Sequence, residues 1–426
     1  MSNSRPPLPK PAIMAVTPGS PAARGMRRRP SAFRLLAFAA LAALPAGCAH
    51  SPRNVPLARI DGAAGYRSQP VPNKPDGTGL MVALFFSGGG TRAAALSYGV
   101  LRELAATSVA GGRRMLDEVT TINAVSGGSF TAAYYCLYGD RIFADYERLF
   151  LKRDVEDALV HRCFSPLNSI RLASPHFGRS DLAAEFYDEL LFHGATFGDL
   201  ATIGSPRPFL VINATDISTG APLQFTQDQF DLIGSDLSRF PISRAVAASS
   251  AVPVLLTPIT LRNYAGSVPP AGPVPVRPSG GSSRSYLDAA KHPYIYLMDG
   301  GLSDNLSLRN LLDEVTLSGG WEPVLERVHR RGVTKLAIIV VDATVEDSQG
   351  GALAGEKPDS KSVIRTLSDS SINRTKKETI AMVEGTLALW QAQLAGRGAQ
   401  SGGQPKIYFI RVDFRSVADP AERAFF

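Results

Sequence analysis

Histidine and cysteine are scarce in this chain, with six and three among 426 residues. Three cysteines exclude a scaffold in which a dense disulfide framework replaces a hydrophobic core. Six histidines narrow the choice for any histidine-based catalytic triad. Acidic residues are missing from the first 47 positions, which hold seven basic ones: Arg5, Lys10, Arg24, Arg27, Arg28, Arg29 and Arg34. No apolar run is long enough for a membrane-spanning helix. No Gly-Lys-Ser/Thr phosphate loop occurs, and no internal repeat. What is present is ordinary globular material, 44% hydrophobic and 19% charged, enough for a sizeable core.

The N-terminal asymmetry accounts for the charge. The chain carries a formal +7. Taking the seven early basic residues from the 45 leaves 38, equal to the 38 acidic ones. The remainder gives no reason to expect a nucleic acid partner. Arg27 to Arg34 form a basic region, Leu35 to Leu44 a short apolar one, and Leu44-Pro45-Ala46-Gly47-Cys48 follows. This is the layout of a secretory signal over residues 1–47. Its end resembles the lipobox of bacterial lipoproteins, which implies cleavage before Cys48 and lipid attached to it. Met26, just before the arginines, is a candidate true start. Ala49 after Cys48, in place of an inner-membrane retention Asp, points to the outer membrane. Residues 48–79, rich in Pro, Gly and small polar residues, read as a lipidated tether.

From Leu80 the pattern changes. Leu80–Phe86 is a continuous apolar run, as expected for a strand buried on both faces. Similar runs are 120–125, 209–214, 294–298, 335–341 and 407–410. Helix-like segments lie between several of them, including one with Leu96, Val100, Leu101 and Leu104 on one face. The alternation predicts an α/β fold with a central, mostly parallel sheet flanked by helices, in one domain over residues 80–414. Residues 263–285, dense in Pro, Gly and Ser, read as a flexible loop, and 346–361 as another. Cys136 and Cys163 are compatible with a disulfide or with two buried thiols.

Three short segments carry chemistry. Ser126, in Ala124-Val125-Ser126-Gly127-Gly128, sits between a strand and a helix, where a tight turn exposes a nucleophilic hydroxyl. Ser87-Gly88-Gly89-Gly90-Thr91-Arg92 joins another strand to a helix. Its Gly88, Gly89 and Gly90 N–H groups form a candidate oxyanion hole, with Arg92 adding positive charge or bracing the loop. Gly88-x-Gly90-x-x-Ala93 also fits a loose dinucleotide fingerprint, but the acidic residue wanted at the end of the next strand is missing. Asp299, in Asp299-Gly300-Gly301, ends a strand and is a candidate base if burial raises its pKa. Each segment alone is a common turn.

In this order, the segments resemble the patatin-like phospholipases. Ala247-Ala248-Ser249-Ser250-Ala251-Val252-Pro253 and Asp299-Gly300-Gly301-Leu302-Ser303-Asp304-Asn305 extend the resemblance, which covers roughly Leu80 to Asp342. Ala93 and Ala124 stand where the family usually has glycine. The resemblance implies a patatin-like three-layer fold. It further implies a Ser126–Asp299 dyad that hydrolyses phospholipid or other acyl esters through an acyl-enzyme, with no cofactor or metal. A Ser–His–Asp triad in Ser…Asp…His order would need His329, the one histidine after Asp299, which lies in an arginine-rich, helix-like stretch. The dyad is therefore favoured. Asp216, in Asn213-Ala214-Thr215-Asp216, is read as capping its own turn. The alternative function is a lipoprotein that binds acyl lipids or a partner and hydrolyses nothing.

Overall fold

In a computed structural model the apolar runs become the strands of one eight-stranded sheet. The structure describes residues 51–68, 79–203, 207–271, 282–329, 332–344, 360–396 and 406–416. The strands are β1 (Leu80–Phe86), β2 (Val119–Val125), β3 (Phe209–Asp216), β4 (Ala221–Gln224), β5 (Ile259–Arg262), β6 (Tyr294–Met298), β7 (Lys335–Asp342) and β8 (Lys406–Asp413). Their order is β5-β6-β3-β2-β1-β7-β8, with β4 paired to β3. The five strands β3-β2-β1-β7-β8 run parallel, whereas β4, β5 and β6 pair antiparallel. Sequence patterning missed β4 and β5. At four residues each they are too short to display a period.

The central strands read as unbroken apolar runs because both faces are covered. Side chains alternate across a strand. Val82, Leu84 and Phe86 join one core with Ala337, Ile339 and Val341. Ala83 and Phe85 join a second core with Leu336, Ile338 and Val340. The first core is closed by the helices Gly90–Ala106 and Gly127–Tyr138 and by an aromatic cluster that includes Phe130, Tyr134 and Tyr146. The second is closed by Leu308 and Leu312 and by Val383, Leu387 and Trp390 of the long helix Ser360–Gly396. Helices thus layer both faces of the sheet, the three-layer α/β arrangement.

Two expectations about loose segments change. Residues 51–68, expected as part of a free tether, pack on the domain. Asn54 donates to Ser235 Oγ and to Arg262 O, and accepts from Arg262 N–H at 2.8 Å. Tyr66 is buried, stacked on Phe209 at 4.7 Å, and its hydroxyl accepts from Leu210 N–H. Arg67 pairs with Asp228 and Asp231, and Leu57 N–H donates to Gly234 O, so several ties fix a stretch whose composition is otherwise that of a linker. Cys48 and residues 1–47 lie outside the described residues, as does most of 345–361. Of the expected loop 263–285, the first part is fixed: Asn263 is buried and donates to Tyr286 O and His292 O. Residues 272–281 lie outside the described residues. Cys136 and Cys163 are both free and buried, and burial raises both thiol pKa values.

Tyr66→Ala is expected to lower unfolding stability by about 3–5 kcal/mol, the range for truncating a buried aromatic ring. Chemical denaturation of the purified chain reads this directly. An unchanged midpoint would return residues 51–68 to the role of a passive tether.

Candidate active site

The ends of β1 and β2 lie side by side, since Phe86 pairs with Ala124 in register. β3 follows, with Val125 level with Asn213. On the other side of β3, antiparallel β6 places Met298 level with Thr215. Continuing both registers by one residue brings Ser126 and Asp299 level with Ala214, one on each side of β3. The sequence placed Asp299 at the end of a strand without giving that strand's direction. The antiparallel direction returns the carboxylate to Ser126.

Ser126 has φ 49 and ψ −122, a conformation that non-glycine residues seldom adopt. The turn is held by its neighbours. A Cβ on Gly127 would lie 1.9 Å from Gly90 O, and one on Gly128 would lie 2.7 Å from Ser87 O. Any side chain at either position would push the glycine-rich loop away. Ser249 fixes the backbone from the far side: its hydroxyl accepts from Ser126 N–H at 2.8 Å and donates to Asn213 O at 2.7 Å. Ala124, the departure from glycine, is fully buried in the first core within β2. Its methyl fills core space and does not enter the turn.

Ser126 Oγ donates to Asp299 Oδ2 at 2.8 Å. The other carboxylate oxygen accepts from Gly301 N–H at 2.8 Å. Thr215 Oγ1 donates to Asp299 O, and Asp299 N–H donates to Ala251 O. Burial raises the Asp299 carboxyl to about 6, and the bonds from Gly301 and Ser126 offset only part of that rise. A carboxylate with a pKa near 6 is a far better proton acceptor than one near 4, and it is still ionised at neutral pH.

The glycine loop is divided in its duties. Gly88 N–H, expected in the oxyanion hole, already donates to Asn305 O at 3.1 Å. Gly89, with φ 136, and Gly90 remain, both exposed at the start of the helix Gly90–Ala106. First-turn N–H groups have no partner within their own helix, and the helix dipole favours negative charge there. Arg92, expected either to add positive charge or to brace the loop, donates from Nε to Ala343 O at 3.0 Å. Its role here is to tie the loop to the end of β7. Ala93, the other departure from glycine, is buried inside the same helix.

The remaining candidates separate cleanly. Asp216 accepts from Ser218 N–H, Thr219 Oγ1 and Tyr286 OH, so it caps its turn and anchors the segment after the loop. His329 ends the helix Trp321–His329, and its side chain lies outside the described atoms. Sequence reasoning gave no role to Ser249, Thr215 or Asn305, although all three stood in the quoted segments. Among the described residues no cluster of His, Cys, Asp and Glu is arranged to hold a metal.

The family model that matches the sequence is that of the patatin-like phospholipases, over residues 84–312, more than half of the chain. The chain belongs to the patatin-like phospholipase family. The matched span runs from the middle of β1 past Asn305, so it includes Ser126, Asp299 and the glycine loop. β7, β8 and the helix Ser360–Gly396 lie beyond it. No curated protein matches the sequence. Among solved structures, human GIVD cytosolic phospholipase A2 is similar at 15% identity and a TM-score of 0.36, over 61% of this chain and 42% of that one. VipD from Legionella pneumophila is similar at 16% identity and a TM-score of 0.28, over 63% of this chain and 50% of that one. The chain thus spans half or less of either relative.

If Asp299 accepts the proton, kcat/KM for a soluble ester falls as pH drops through about 6, with ionised Asp299 the active form. A pH–rate profile with its acidic limb near 4 would mean that the active base is an ordinary, solvated carboxylate.

Proposed function

We propose that this member of the patatin-like family is a serine acyl-hydrolase acting on lipid esters through a Ser126–Asp299 dyad. The observation that carries the proposal is the 2.8 Å hydrogen bond from Ser126 Oγ to a buried Asp299 whose pKa is raised to about 6. In the proposed reaction, Asp299 takes the hydroxyl proton as Oγ attacks the ester carbonyl. The tetrahedral oxyanion forms beside the Gly89 and Gly90 N–H groups, where one such donor is worth about 10²–10³ in rate. Collapse expels the alcohol, which recovers the proton from Asp299. Water then attacks the acyl-enzyme by the same route in reverse. The binding-only alternative leaves the raised pKa and the strained Ser126 without a purpose.

A lipid substrate is supported by the surface around the site. Ala251, which accepts from Asp299 N–H, is followed by Val252, Val254 and Leu255, all exposed. Val254 has φ 73, costly for a β-branched residue. Arg179 donates to Val254 O, and its charge also acts on Cys163. Beyond Cys163, Phe164 and the helix Pro166–Leu172 present Leu167 and Ile170 at 70% and 73% exposure. Arg162 and Arg171 on the same segment are paired with Glu189 and Glu185, each at 2.6 Å. The exposed apolar residues suit contact with a lipid layer. The anchor expected at Cys48 would hold the enzyme against one, at the outer membrane.

A fluorophosphonate probe is expected to label the wild-type chain and not Ser126→Ala, while Asp299→Asn abolishes turnover in folded protein. Absence of labelling of wild type would leave the binding-only alternative standing. Leu167→Glu with Ile170→Glu is expected to lower hydrolysis of anionic phospholipid vesicles roughly tenfold, with a soluble short-chain ester unaffected. Equal losses on both substrates would place these residues outside lipid contact.

A further inference from the structure

We infer that Lys376, in the helix Ser360–Gly396 beyond the span matched by the family, is a positioning residue for the glycine loop. The inference rests on the hydrolase reading above. Lys376 is 3% exposed, and its Nζ lies 2.9 Å from Oδ2 of Asp342, which is fully buried at the end of β7. Arg411 of β8 approaches the same oxygen at 2.8 Å. A buried carboxylate flanked by two cations is held in one orientation, because leaving either charge unpaired in the interior is costly.

Asp342 passes that orientation on. Its Oδ1 accepts from Thr344 N–H at 3.0 Å, which fixes the two residues after the strand. Thr344 Oγ1 accepts from Asn305 Nδ2 at 3.2 Å. Asn305 O accepts from Gly88 N–H at 3.1 Å. Between them, Ala343 makes two further ties: its N–H donates to Ser87 Oγ at 2.9 Å, and its carbonyl accepts from Arg92 Nε at 3.0 Å. Residues 342–344 therefore touch Ser87 and Arg92 directly and reach Gly88 through Asn305, which brackets Gly89 and Gly90. The same long helix packs on Gly301–Asp304, directly after Asp299. Burial raises the Asp342 carboxyl, yet the Lys376 ammonium and the bonds from Thr344 together hold it below the ordinary carboxylate value. Asp342 is thus ionised, and ready to grip, throughout the pH range in which Asp299 works.

Without the ammonium, Asp342 is free to follow Arg411 alone, and the amide of Thr344 follows it. Small displacements of preorganised donors reduce rate more than binding. Lys376→Met is therefore expected to lower kcat about tenfold, less than the loss of a hole donor itself, with KM for a soluble ester within about twofold. Thr344→Val removes the hydroxyl that bonds both Asn305 and Asp342 while leaving every buried charge in place, and is expected to lower kcat about threefold.

The test measures kcat per serine titrated to completion with fluorophosphonate, together with Tm. Titration counts folded sites, so a purely structural role for Lys376 would lower Tm and leave kcat per titrated serine at the wild-type value. That result overturns the inference. If Lys376→Met yields no folded protein, Thr344→Val decides: a lowered kcat at unchanged KM supports the chain of contacts, and a wild-type kcat overturns it. Wild-type protein that neither labels nor turns over fails the hydrolase reading first, and this inference with it.

Discussion

The close approach of the Ser126 turn to the glycine loop constrains the rest of the structure. Gly127 lies so near Gly90 O that a single methyl group would not fit. This contact brings Ser126 beside the exposed N–H groups of Gly89 and Gly90, and Ser126 holds an unfavourable φ within it. A strained residue persists only where its surroundings over-determine it. Here they do so from several directions: the core packing of Ala124, the Ser249 hydroxyl on the Ser126 amide, and the ladders of β1 and β3 on either side of β2.

Asp299 is the second cost built into the same place. Burial disfavours its charge, and the compensation is incomplete, with one backbone N–H on Oδ1 and one hydroxyl on Oδ2. Full compensation would give a stable and inert carboxylate. Asp342 shows the contrast within one molecule. It is equally buried, but an ammonium and a guanidinium make it a structural anion. The two carboxylates lie at the ends of β6 and β7, separated by three strands of one sheet, and differ in how completely their charge is met.

Much of this was legible in the sequence, for a physical reason. Strands such as Leu80–Phe86 and Lys335–Asp342 are buried on both faces, so they appear as unbroken apolar runs. Tight turns demand glycine, so Gly127 and Gly128 mark the elbow. Other features leave no local trace. β4 and β5 are too short for a pattern, and the direction of β6 depends on pairing with distant residues. Ser249 reaches Ser126 across 123 positions, and nothing in its own neighbourhood predicts that bond. The Gly88 N–H looked free for catalysis because its acceptor, Asn305 O, lies more than two hundred residues away. Residues 51–68 read as linker because their anchors, Asn54, Tyr66 and Arg67 among them, bond to residues far along the chain.

Cys136 and Cys163 are buried thiols with no bond between them. Covalent cross-linking therefore contributes nothing to the described domain. Its integrity is the same in a reducing cytosol as in an oxidising envelope. The fold needs no oxidase to form, and it is indifferent to the redox poise around it.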